Sequence, residues 1–221
     1  MRGLIALAGR LDPNAVVRES ASACRIRIAA DGGLEHLDRL GLIPDRVVGD
    51  MDSIRTDQLP ELEALGVRTD RHPRDKDETD AEIAIRTALD MGATDLLVIG
   101  ALGSRPDHTL AHLLLAAGLA RRGVPIRLTD GTTWIHALSG ARAETAAVRL
   151  DIPARGFLVS LLAISGPAIG VSTKGLRFGL DRALLPDLCA RGVSNRPDGS
   201  GSPVEIRLEA GELLVFVVPA D

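Results

Sequence analysis

Tyrosine is absent from this chain, tryptophan occurs once, at Trp134, and aromatic residues make up only 2% of the 221 positions. That leaves almost no ring surface on which to stack bases, so single-stranded nucleic acid is not a ligand the composition supports. No long lysine or arginine run occurs and the net charge is -4, so the basic footprint of a nucleic-acid-binding protein is missing as well. The two cysteines, Cys24 and Cys189, lie far apart, and a pair of reduced thiols is a simpler reading than a disulfide. No apolar stretch approaches the roughly 20 residues that span a bilayer. Residues 1–13 hold one short apolar run soon interrupted by charge. They read as a first β-strand rather than a secretory leader, which makes cytoplasmic residence the expectation. What remains is an ordinary globular balance, 45% hydrophobic and 25% charged, in a length that suits one large domain or two small ones.

Short apolar runs at residues 4–8, 25–30, 46–49, 96–99 and 125–129 read as strands. Between them, residues 33–40, 58–65, 80–91 and 109–122 carry helical patterns. Gly41, Gly66, Gly92 and Gly123 stand just past those helices, where a left-handed residue ends a helix cheaply. Strands alternating with helices predict a parallel sheet covered on both faces. Beyond Trp134 the helical patterns give way to short apolar runs at 148–152, 158–164, 169–172, 204–208 and 213–218, with a hairpin turn expected at 209–212. The expected organisation is an α/β domain over 1–138 and an all-β sandwich over 139–221.

The polar residues of the first half gather where strands end, which is where open α/β sheets bind ligands. Asp31 follows the second strand and is itself followed by Gly32 and Gly33, a turn able to offer amides to a ligand; a plain helix cap is the alternative. Asp50 and Asp52 follow the third strand. In extended backbone, residues two apart face the same side, and two adjacent carboxylates are costly unless a cation or a proton sits between them. A hard divalent ion is the natural partner, Mg²⁺ if the substrate is a nucleotide; a solvated turn is the alternative. Thr79 and Glu82 form a capping box. Asp77 and Asp80 flank Thr79, and Asp80, kept ionised by the helix dipole, is a candidate third metal ligand. The turn from Gly100 to His108 contains Arg105, whose planar fork suits phosphate, and Asp107 and His108, either of which can accept a proton. His108 and His112 have zinc spacing but lack a third ligand, so His112 reads as structural.

Taken together, Ala30-Asp31-Gly32-Gly33, Gly49-Asp50-Met51-Asp52-Ser53, Lys76-Asp77-x-Thr79-Asp80-x-Glu82 and Gly100-Ala101-Leu102-Gly103-x-Arg105-x-Asp107-His108 resemble, in order, the motifs of thiamin pyrophosphokinases. The resemblance continues through Thr173-Lys174-Gly175-Leu176-Arg177-Phe178 and Val193-Ser194-Asn195, so it spans nearly the whole chain. It implies a Rossmann-like catalytic domain, a β-sandwich domain and a homodimer. It also implies an Mg²⁺-dependent transfer of pyrophosphate from ATP to the thiamin hydroxyl, with AMP as leaving group. By motif, Asp50, Asp52 and Asp80 would hold magnesium and, with Arg105 and Asp107, form the catalytic set. Asp31, Gly32, Gly33, Asp77, Arg105 and His108 would line the nucleotide site, and Thr79, Ser194 and Asn195 would contact thiamin. Transfer to another hydroxymethyl compound such as a pterin, and a sensor without turnover, are the alternatives. Three departures stand out. Ser104 takes the place of a usual glycine, Pro106 stiffens the segment before Asp107, and no aromatic follows Asn195 to lie on a thiazolium ring.

Overall fold

The computed structural model describes residues 1–52, 58–73, 77–103, 105–140 and 146–220. The chain divides into two compact units, one of residues 1–112 and 128–131, the other of residues 113–127 and 132–221. The architecture is mixed α/β, with parallel and antiparallel strands.

In chain order the first elements are β1 (Arg2–Ala6), α1 (Ala15–Ser22), β2 (Ile26–Ala30), α2 (Leu34–Leu40), β3 (Arg46–Gly49), α3 (Gln58–Ala64), β4 (Arg68–Arg71), α4 (Asp80–Asp90) and β5 (Asp95–Ile99). The five strands are parallel, in the order β4-β3-β2-β1-β5. Leu4, Ile5, Ile28, Leu96, Leu97 and Ile99 are almost wholly buried. Continuous apolar strands are what a parallel sheet with both faces covered requires, and each such side chain contributes roughly 1.5–3 kcal/mol. Gly41, Gly66, Gly92 and Gly123 all adopt positive φ, as expected of glycines that end helices. Two elements carried no readable pattern. Helix α1 is short and starts on Asn14, whose side chain accepts the Val17 amide at 3.1 Å. Strand β4 is the polar sequence RTDR at the sheet edge, held by Arg46 pairing with Asp70 at 2.7 Å.

The remaining elements are α5 (Pro106–Arg121), β6 (Ile126–Thr129), β7 (Trp134–Ser139), β8 (Ala146–Leu150), β9 (Phe157–Lys174), β10 (Ala183–Leu185), β11 (Val204–Leu208) and β12 (Ala210–Pro219). Five strands of the second unit run antiparallel in the order β7-β12-β9-β11-β8, with β10 on β9. The apolar runs at 158–164 and 169–172 are one 18-residue strand, β9, which is irregular where Ser165 and Gly166 take positive φ. The expected hairpin at 209–212 does not form. Strand β11 pairs with β8 and β9 and β12 pairs with β7 and β9, so β9 separates the last two strands. Gly211, at φ 90°, turns the chain there, but a long partner strand offers both strands more ladder than they offer each other.

Two polar groups of the second unit, Glu212 buried and His136 half-buried, are managed differently. Glu212, 6% exposed, accepts a two-pronged bond from Arg121 at 2.9 Å on each oxygen. His136, opposite Val215 on β12, is pushed down to about 4 by desolvation and by the Arg127 cation. The folded chain therefore holds this imidazole neutral while the unfolded chain protonates it near its ordinary value of 6.5. Stability is lost as pH falls from 6.5 to 4, by on the order of 3 kcal/mol in total. Denaturant titrations across that window are expected to show the decline, and His136→Leu is expected to flatten this part of it.

Candidate active site

Strand β2 delivers Asp31 into a single 3₁₀ turn, Asp31–Gly33, that leads into α2. The Asp31 backbone is left-handed, φ 43°, a conformation aspartate and asparagine tolerate better than most residues. Gly33 is sterically required, because a Cβ there would strike the Ala6 carbonyl. Asp31 is not a cap: neither the 3₁₀ turn nor α2 has a side-chain cap bond. Its carboxylate lies instead against Gly49, where any Cβ would collide with it, and Oδ1 accepts the Met51 amide at 3.4 Å.

Asp80 occupies the first turn of α4, directly after Thr79. Thr79 accepts the Glu82 amide at 3.3 Å and gives its own amide to Glu82 at 2.9 Å, the expected capping box. Glu78 fixes the approach to the helix by gripping Arg86 at 2.8 and 3.2 Å. Three carboxylates therefore converge. Burial, then the charge of Asp80 and a hydrogen bond shared with it, then the charge of Asp50, push Asp31 up to about 6. A carboxyl–carboxylate hydrogen bond needs a proton on one partner, so below about pH 6 a proton does at this spot what a cation otherwise would.

Asp52 reaches this group by a different route than the sequence suggests. The chain is not extended between the two carboxylates, since Met51 is left-handed at φ 66°. The alternation that would place Asp50 and Asp52 on one side does not apply. What links them is the Asp52 amide, which donates to Asp50 Oδ1 at 2.9 Å. Among the described residues no three His, Cys, Asp or Glu side chains make a ready-formed metal site. Ser53, Asp75, Lys76 and Ser104 lie outside the described residues.

A cavity of about 480 Å³ opens beside the carboxylates, within the first unit. Asp31, Thr79, Asp80, Arg105 and His108 line it, whereas Gly32, Gly33, Asp50, Asp52, Asp77 and Asp107 do not. Arg105 and Asp107 form an exposed ion pair at 2.6 Å. Hydrogen bonding to Arg105 is the main reason the Asp107 carboxyl is held below its ordinary range, which weakens it as a proton acceptor. His112 bonds through Nδ1 to the Ala101 carbonyl at 2.7 Å, and its ring meets that of His108 edge-on at 6.0 Å, so it is a satisfied structural group. Residues missed in the sequence also line the cavity: Leu7, Ala8 and Gly9 just past β1, and Glu78. Buried His36 shapes this wall from behind, its Nε2 donating to the Gly9 carbonyl at 2.7 Å. The signal for Gly9 was its place at a strand end; nothing in sequence marks His36.

In the second unit Asn195 is 8% exposed, and the framework occupies its side chain. Nδ2 donates to the Phe178 carbonyl at 2.8 Å, and Oδ1 accepts the Phe178 and Arg196 amides at 3.2 and 2.9 Å. Ser194 is exposed and left-handed, φ 62°, with its amide on Ser160 Oγ at 3.0 Å. The aromatic missing after Asn195 in sequence is thus beside it in space: Phe178, 63% exposed.

Glycine turns, carboxylates and an arginine gathered at the carboxyl edge of a parallel sheet are the arrangement of the class of α/β proteins that bind ligands beyond the strand ends. Residues 17–128, half of the chain, match the family model described as thiamin pyrophosphokinase, catalytic domain, and the chain belongs to that family. It is 30% identical over 103 residues to a thiamine pyrophosphokinase of Bacillus subtilis, an alignment covering 47% of this chain and 48% of that relative. It is 24% identical over 182 residues to thiamine pyrophosphokinase 1 of Oryza sativa, covering 73% and 67%. The solved Bacillus subtilis thiamine pyrophosphokinase shares the fold over 100% of both chains, with TM-score 0.82 at 21% identity. No helix among the described residues is long and apolar enough to cross a membrane.

Two substitutions test this geometry. Asp31→Asn keeps a residue that accepts the left-handed backbone but removes the crowded charge. An acid raised from 3.8 to about 6 binds more protons folded than unfolded, so its ionisation destabilises as pH rises through that window. In metal-free buffer, Asp31→Asn is expected to match the parent at pH 4 and to melt higher above pH 6. Asn195→Ala strands three backbone groups and is expected to cost about 1–3 kcal/mol in chemical denaturation.

Proposed function

We propose that this protein transfers a pyrophosphoryl group from ATP to the hydroxyl of thiamin, releasing AMP, with Mg²⁺ as the required ion. The observation that carries the reading is the crowding of Asp31 by Asp80 and Asp50 at the mouth of a cavity that also presents Arg105. Carboxylate oxygens this close suit a hard divalent cation. Magnesium characteristically takes one or two carboxylates and completes its shell with water and substrate phosphates, so a closed protein cage is not needed. Asp50, Asp80 and Asp31 would hold the ion, with Asp52 joined to them through Asp50; bound there, it would neutralise charge on the transferring phosphates.

The chain's own contributions follow. Asp107 takes the Nε and one Nη2 hydrogen of Arg105 and orients the guanidinium, whose other edge, Nη1 and the second Nη2 hydrogen, is left for phosphate oxygens. Gly9 and Gly103, beyond β1 and β5, line the cavity and leave it room for phosphates; the Gly9 amide itself is spent on the Gly100 carbonyl at 2.9 Å. The hydroxyl oxygen attacks the β-phosphorus while the bond to the bridging oxygen of the α-phosphate breaks. In a loose transition state the hydroxyl proton leaves late, so a strong base is unnecessary, which agrees with the lowered Asp107. His108 and Thr79 flank the cavity beside the acceptor path. Ser194, exposed beside the segment that Asn195 anchors, is the surface of the second unit offered to thiamin. The working assembly in this reading is a cytoplasmic homodimer, with a Rossmann-like catalytic domain over 1–138 and a β-sandwich over 139–221.

The test is AMP release from ATP and Mg²⁺, with thiamin and a hydroxymethyl pterin as separate acceptors. Thiamin-dependent AMP is expected; its absence ends the substrate assignment. Asp50→Asn and Asp80→Asn are each expected to lose at least about 100-fold in kcat while melting no lower than the parent in EDTA. Near-normal turnover in either removes the metal assignment.

A further inference from the structure

A cavity of about 700 Å³ in the second unit is edged by Arg155, Arg177 and Arg196. Backbone bonds bring the three together. The Arg177 amide donates to the Arg196 carbonyl at 2.9 Å, and Asp198 donates to Gly175 at 3.0 Å. On the Arg155 side, Ala220 donates to Gly156 at 2.9 Å, and Val159 and Asn195 exchange bonds at 2.8 and 3.0 Å. The arginines therefore stand on tied segments rather than on free ends.

Elsewhere the chain matches arginine with carboxylate, as in Arg2–Asp95, Arg121–Glu212 and Arg182–Glu209. No carboxylate among the described residues pairs with Arg155, Arg177 or Arg196. Asp198, the one acidic residue of the lining, has turned its Oδ1 to the Ser200 amide at 2.8 Å. Arg177 is packed 5.6 Å from the centroid of the Phe178 ring, which restrains it and leaves its N–H edge free of any acid. Three guanidiniums with unused donors on one cavity wall suit a multivalent anion. A thiazolium cation is repelled by the same cluster, and neither Ser194 nor Asn195 lines this cavity.

We propose that the Arg155–Arg177–Arg196 cavity binds a diphosphoryl group, the three guanidiniums sharing its terminal oxygens. This inference rests on the second unit alone and does not depend on the reaction proposed above.

Calorimetry in EDTA on the full chain carrying Arg105→Ala isolates the cavity from the carboxylate edge. Inorganic pyrophosphate, ATP and thiamin diphosphate are titrated separately into that protein and into one that also carries Arg155→Gln and Arg196→Gln. The expected result is saturable pyrophosphate binding that weakens at least tenfold in the triple variant and falls with added salt. Orthophosphate is expected to bind more weakly than pyrophosphate. The ligand that loses most on removing the two arginines identifies the source of the group. No pyrophosphate binding, or equal binding in both proteins, overturns the proposal. Both substitutions are on exposed side chains, and matching melting curves confirm that the comparison is between folded proteins.

Discussion

Asp31, Asp50 and Asp80 leave three different segments of chain and meet in one small region, where Asp31 cannot ionise freely because its neighbours already carry charge. The first unit is organised around that repulsion. Its cost is relieved below about pH 6 by protonation of Asp31, and in the proposed working state by a divalent ion. The surrounding backbone prevents the group from relaxing apart. Gly49 gives Asp31 room that no other residue leaves, and Gly33 lets the following turn lie against β1. The capping box anchors the start of α4, and Asp80 with it.

The same logic explains the unusual backbone at the site. Asp31 and Met51 both sit at positive φ, conformations that cost free energy for residues other than glycine. Each re-aims the chain just after a strand, turning a side chain or amide toward the neighbouring strand end. Arg105 and Asp107 meet a different requirement. Their ion pair is exposed and contributes little to stability, but it presents the guanidinium to the cavity in a defined orientation.

The second unit solves a charge problem of the opposite sign. Its buried acid, Glu212, has a paired arginine, and its half-buried His136 stays neutral. The three arginines around the large cavity have neither remedy. Asn195 shows how a motif residue works indirectly here. Its side chain bonds the backbone of Phe178 and Arg196, and so fixes the two segments that flank the exposed Ser194.

Periodicity and punctuation were sufficient for the buried strands β1, β2, β3 and β5 and for the four helices ended by glycine. Burial on both faces makes strands uniformly apolar, and only glycine ends a helix cheaply in the left-handed state. Local chemistry alone also identified the capping box and the gathering of acids at strand ends. Contacts distant in sequence decided the rest. The edge strand β4 is polar because only one side is paired. Strand β9 captured both β11 and β12, so the nearby turn made no hairpin. Which carboxylates crowd Asp31 depended on Gly49 and Met51 bending the chain, and Asp52 joined through its amide rather than by alternation. Composition and spacing record which groups a chain owns and how each segment prefers to fold. Which of those groups come within a few ångströms of each other is settled by packing, because distance and burial set the electrostatics and neither exists until the chain is folded.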